Sequence, residues 1–158
     1  MRAVQPSDST CAMSDQPVNP YLRDAVLTAT PEQLQLMLYD GAIRFATQAR
    51  EAIERRDFAT SFERLSRAQR IIVEMIKGLN YDVNAELCAR VASVYNFIYH
   101  KLIDANMNRD VQAINDALRI LSIERETWQI LVDKVSTARQ TAAQDNSDPV
   151  LGNLCVQT

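Results

Sequence analysis

The stretch from Thr30 to Asp57 reads TPEQLQLMLYDGAIRFATQAREAIERRD, and its punctuation decides the fold. Thr30 suits an N-cap, Pro31 the first helical position, and Gln33 can complete a capping box with Thr30. Apolar residues then recur at Leu34, Leu38, Ala42, Phe45, Ala49 and Ile53, which is helical spacing. Arg55 and Arg56 suit a helix C-terminus, and Asp57 suits the N-cap of a following helix.

The pattern repeats three times downstream. A second helix carries Phe58, Phe62, Leu65, Gln69, Ile72, Ile76 and Leu79 in alternating steps of four and three, a heptad-like seam. It stops near Gly78-Leu79-Asn80. A third begins near Asn84, carries Leu87, Val91, Val94, Ile98, Leu102 and Ala105, and ends at Asn106-Met107-Asn108. Asp110 caps a fourth, whose stripe is Val111, Ile114, Leu118, Leu121, Arg125, Trp128, Leu131 or Val132, and Val135. Phe62 and Trp128 are expected in the core. Between Pro31 and Pro149 the only glycines are Gly41 and Gly78, which favours long helices over strands and turns. Three of the helices should run for about 22–27 residues, roughly 33–40 Å. Short links between long helices make antiparallel neighbours, so the expected fold is an all-α, up-down four-helix bundle.

The flanks differ. Residues 1–19 and 137–158 are rich in Ser, Thr, Asp, Gln and Pro without a sustained period, and are read as disordered tails around a bundle domain at 20–136. The length of 158 residues fits one domain. The net charge of −3 is modest, and its arginines are interspersed with acids, so no nucleic-acid or anionic-membrane partner is expected. No apolar run is long enough for membrane insertion, and the N-terminus lacks a signal-peptide core, so a cytoplasmic location is expected.

The sequence also argues against catalysis. His100 is the only histidine, which denies the chain a di-iron bundle motif or a two-histidine zinc helix. It reads as a surface or rim residue. No glycine-rich phosphate loop is present. Cys11, Cys88 and Cys155 are odd in number and far apart, so they suggest neither a disulfide framework nor a zinc site. Cys88 reads as a small buried side chain rather than a reactive thiol. The expectation is a binding protein with no cofactor, no metal and no catalytic residues.

Two features exceed the needs of a plain bundle. The first helix carries Leu36, Met37, Tyr39 and Ile43 beyond its stripe, and the third carries Tyr95, Phe97, Tyr99 and Ile103. Such faces suit either deep packing or a groove for a partner's amphipathic helix. The segment Asn19 to Thr28 is too apolar for a tail and too short for a bundle helix. It reads as a strap over the bundle, either packed in place or mobile.

The run Tyr21-x4-Val26-Leu27-Thr28-Ala29-Thr30-Pro31-Glu32-x-Leu34-x2-Met37-Leu38-Tyr39-Asp40-Gly41-Ala42-Ile43 resembles the start of the flagellin-specific export chaperones, the FliS family. Two further blocks resemble the same family: Tyr95-Asn96-Phe97-Ile98-Tyr99-x2-Leu102-Ile103-x-Ala105-Asn106, and Arg125-Glu126-Thr127-Trp128. Asn96 and Phe97 stand where the family usually has Asp and Tyr, and His100-Lys101 where it has two arginines. The resemblance spans about Tyr21 to Val135.

The resemblance implies an antiparallel four-helix bundle in the bacterial cytoplasm that binds the disordered C-terminal segment of flagellin. Such a chaperone prevents premature polymerisation and supports delivery to the flagellar type III export apparatus. Under this reading Tyr21, Val26 and Leu27 form a removable strap. The groove beneath is expected to be lined by Leu38, Tyr39 and Ile43 with Tyr95, Tyr99, Leu102, Ile103 and Asn106. The rival reading is a self-associating structural bundle, with the surplus apolar surface closing a homodimer. A thiol protein centred on Cys88 is the third.

Overall fold

The computed structural model describes residues 19–145, and these form five helices. Helix α1 spans Pro20–Thr28, α2 Pro31–Glu54, α3 Phe58–Lys77, α4 Ala85–Asn108 and α5 Val111–Asp145. Each start has a local cause. Thr30 Oγ1 accepts from Gln33 N at 3.3 Å while Gln33 Oε1 accepts from Thr30 N at 2.9 Å, completing the capping box of α2. Asp57, Asn84 and Asp110 accept from backbone N–H groups at the starts of α3, α4 and α5. Two links turn through left-handed residues, Arg56 at φ 59° and Arg109 at φ 56°. The Arg109 guanidinium lies 3.9 Å from the Phe58 ring centroid, so this unusual backbone position is braced across to the start of α3.

Helices α2 to α5 pack as a ring: α2 on α3, α3 on α4, α4 on α5, and α5 back on α2. The diagonal pairs, α2 with α4 and α3 with α5, meet only across the core. That core holds Tyr39, Leu65, Ile72, Tyr95, Ile98, Leu102, Ile114 and Leu121 as its large buried side chains, with Trp128 packed against it.

The buried faces keep part of the expected stripes, among them Ala42, Ala49, Ile53, Leu65, Ile72, Ile98, Leu102, Ile114 and Leu121, and differ in the rest. On α2 the inward residues are Tyr39, Ala42, Ala46, Ala49, Ala52 and Ile53. Leu34, Leu38 and Phe45 of the expected stripe are only partly buried. On α3 the inward residues are Ser61, Leu65, Ala68, Ile72 and Met75, and Phe62 is 62% exposed rather than in the core. Small side chains on the facing turns let the backbones of α2 and α3 approach closely, and larger ones are displaced to the flanks.

The expected strap is a helix, α1, and no residue in it is buried. At the other end α5 runs nine residues past the expected limit of 136, to Asp145. Residues 137–145 contain no glycine or proline and several good helix formers, so nothing in them stops the helix. Arg139 reaches back to Glu32 at 2.9 Å and ties this extension to the start of α2. The expected disorder of 1–18 and 146–158 lies outside the described residues.

Candidate binding groove

The flank of α2 that faces α3 carries Leu34, Met37, Leu38 and Phe45, and Ile71 of α3 forms the opposing wall. Gly41 lies between them. A Cβ there would stand 3.2 Å from Ile71 Cδ1, so the missing side chain keeps the floor of the groove low. The cavity encloses about 690 Å³ behind mainly apolar walls. That size is ordinary for a site taking several side chains.

Helix α1 lies over this groove. Leu22 and Val26, one turn apart, line it, while Tyr21 and Leu27 are 81% and 72% exposed. An element of nine residues with no buried side chain sits at the low end of local stability. Of the expected strap residues Tyr21, Val26 and Leu27, only Val26 lines the groove. Leu22 is its unanticipated partner.

The expected groove residues divide among three places. Leu38 lines the groove. Tyr39, Tyr95 and Leu102 are fully or almost fully buried, so they belong to the core and line no open groove. Tyr39 Oη and Tyr95 Oη share a hydrogen bond of 2.6 Å, and Gln35 Nε2 donates to Tyr95 Oη at 3.1 Å. Burial pushes the ionisation of Tyr39 well above the ordinary tyrosine range, and the bond to Tyr95 adds to it. Ile43 is half-buried and packs against the core. Tyr99 lines a separate, more polar cleft with Gln69 and Val73 of α3. Ile103 and Asn106, partly exposed, follow Tyr99 on the same side of α4. The expected α2–α4 groove does not exist as one surface because α2 and α4 are diagonal in the ring.

The polar rim has its own organisation. Arg125 donates to both carboxylate oxygens of Asp40, joining α2 to α5 beside the groove. At the far end the Phe45 ring has three guanidinium groups near it: Arg44 at 5.0 Å, Arg67 at 5.7 Å and Arg64 at 6.0 Å. Arg67 pairs with Glu63 at 2.7 Å. Among the described residues no three of His, Cys, Asp and Glu stand in a metal-holding group. None of the described helices is long and apolar enough to cross a membrane. Cys88 is partly exposed and donates to Asn80 O at 3.3 Å, so it is not the buried apolar residue expected.

Leu22, Leu34, Phe45 and Ile71 were not anticipated as groove residues. For Leu34 and Phe45 the signal is size contrast: alanines recur at 42, 46 and 49 on one face of α2, and the bulky residues occupy the next face round.

A family model described as "Flagellar protein FliS" matches residues 13–135. The flagellar secretion chaperone FliS of Bacillus subtilis (strain 168) is 35% identical over 113 residues, covering 72% of this chain and 84% of the relative. The protein of the same name from Salmonella typhimurium (strain LT2) is 34% identical over 116 residues, covering 73% and 86%. A solved structure described as a flagellar chaperone from bacteria superimposes with a TM-score of 0.63. It is 18% identical and covers 73% of this chain and 96% of that one.

Proposed function

The chain belongs to the FliS family of flagellar proteins, and from that premise we propose that it is a cytosolic, non-enzymatic export chaperone that holds the C-terminal segment of flagellin. The observation that carries the reading is the α1-covered groove. It is apolar and elongated along α2, and an i, i+4 pair from a helix, Leu22 and Val26, forms part of its wall. An apolar groove bordered by one amphipathic helix has the shape and chemistry to take another.

A disordered segment that folds on binding must bury a large surface to offset its ordering. Two faces are available on either side of α3: the groove with Leu38 and Ile71, and the cleft with Tyr99 and Val73. A segment that enters the groove and crosses α3 reaches Tyr99, Ile103 and Asn106 as well. Burying its apolar stripe there keeps it from pairing with other flagellin chains, and the loaded chaperone then meets the export apparatus.

Titration of the full chain with a peptide of the flagellin C-terminus tests this. Saturable binding with a gain in helical circular dichroism is expected. It should be lost in Leu38→Asp and weakened in Ile103→Asp, with both variants still folded. Unchanged binding in Leu38→Asp would remove the groove from the reading.

A further inference from the structure

Helix α1 borders only part of the groove, and one end of what it leaves open carries positive charge. The groove extends along α2 from Leu34 to Phe45, about 16 Å at the helical rise. Helix α1 contributes two side chains to it, Leu22 and Val26, and its only acid is Asp24. Arg44 lines the groove, and Arg64 stands with it over the Phe45 ring. Among the described residues neither arginine forms an ion pair, whereas Arg67 beside them is paired with Glu63 and Asp40 across the rim with Arg125. Two cations without counter-ions thus mark one end of an apolar groove.

We propose that Arg44 and Arg64 form a carboxylate-reading end to this groove. It selects an amphipathic helix that bears an Asp or Glu beside its apolar stripe, about two turns from the residues that replace Leu22 and Val26. This rests on the groove being the partner site and adds what the partner must carry. Guanidinium forks bind carboxylates bidentately, and the half-buried Phe45 ring gathers the exposed Arg44 and the half-buried Arg64 at one edge. The arrangement also supplies a reason for exchange. A tethered strap competes at high local concentration, so a displacing helix needs contacts the strap does not make. The paired carboxylate is such a contact, because α1 offers none to either arginine.

The test uses the full chain and two amphipathic helical peptides with one apolar stripe, differing only in Glu or Gln at the flanking position. The flagellin C-terminal peptide is titrated alongside. The Glu peptide is expected to bind about tenfold tighter than the Gln peptide at low salt, with the gap shrinking as salt rises. The gap should close in Arg44→Gln/Arg64→Gln, and Arg44→Glu should reverse it in favour of a Lys peptide. Equal binding of the two peptides to the wild type, or binding of neither, overturns the inference. Equal binding with flagellin still captured leaves the groove reading standing. A Glu preference without flagellin binding supports the inference and sinks the flagellin reading.

Discussion

Tyr39 Oη and Tyr95 Oη stand 2.6 Å apart, fully enclosed, and join the diagonal helices α2 and α4 through the middle of the bundle. Gln35 Nε2 supports the pair from the rim, donating to Tyr95 Oη at 3.1 Å. The two hydroxyls are therefore not equivalent. Tyr39→Phe leaves Tyr95 with Gln35 and should cost about 1 kcal/mol. Tyr95→Phe strips both Tyr39 and Gln35 and should cost roughly 2–3 kcal/mol. Urea denaturation would measure both, and the order Tyr39→Phe worse than Tyr95→Phe would show that the network is wrongly described.

The same pair sets an alkaline limit. Burial raises the ionisation of Tyr39 and Tyr95 in the folded chain above the ordinary value of 10.0. A raised folded value means the stabilisation is complete below 10.0. It is lost above that pH, where the unfolded chain sheds its protons first. Stability should therefore fall as pH passes 10.0 in the wild type and fall less steeply in Tyr39→Phe. Denaturant midpoints across that range decide it; parallel curves for the two proteins would contradict it.

Gly41 separates stability from function. Adding a methyl brings it 3.2 Å from Ile71 Cδ1, the free end of a side chain that borders the groove and can turn into it. Replacing a mid-helix glycine by alanine favours the helix by ~1 kcal/mol. Gly41→Ala should melt at the same temperature or a few degrees higher while binding the flagellin peptide several-fold more weakly. A variant that binds normally would mean that the groove floor plays no part.

Helix boundaries were legible in the sequence because their causes are local. Thr30 with Gln33, Asp57, Asn84 and Asp110 each cap the helix they were expected to cap. Which face turns inward was less legible. Bulk alone does not mark burial: Phe62 is exposed and Phe45 only partly buried, whereas Ala46 and Ala68 face inward and allow closer helix contact. The site suffered from a second cause. Tyr39 and Tyr95 do meet, as the surplus aromatics suggested, but short links put α2 and α4 on opposite corners of the ring, so they meet in the core. Leu38 and Val26 line one cavity because α1 lies next to α2 in the chain as well as in space.

The strap itself should be removable at little cost. Leu22→Asp/Val26→Asp places carboxylates where apolar side chains now cover the groove, yet no α1 residue is buried, so the bundle loses little. The open fraction rises, and apparent affinity for the flagellin peptide rises with it, since a covered site weakens binding by its closed fraction. Isothermal titration should show tighter binding with the melting temperature within a few degrees of wild type. Weaker binding would mean that α1 forms part of the bound site.

Acid should free the far end of α5 before it unfolds the bundle. The Glu32 carboxyl is held below its ordinary 4.5 chiefly by its own backbone N–H at the start of α2, with Thr30 and Arg139 adding to it. A lowered folded value means that the contribution is present above 4.5 and lost as pH falls below it, through the folded value. Arg139 is then left without its partner, and residues 136–142 are all exposed, so no burial holds that stretch. Protection from hydrogen exchange around Arg139, relative to the unstructured chain at the same pH, should fall below pH 4.5 while protection in the Leu65 and Ile72 turns of α3 holds. Glu32→Gln should show the lower protection already at neutral pH. Uniform loss of protection along all the helices, or a Glu32→Gln protein with a protected α5 end, would place the hold on this extension elsewhere than in the Glu32–Arg139 pair.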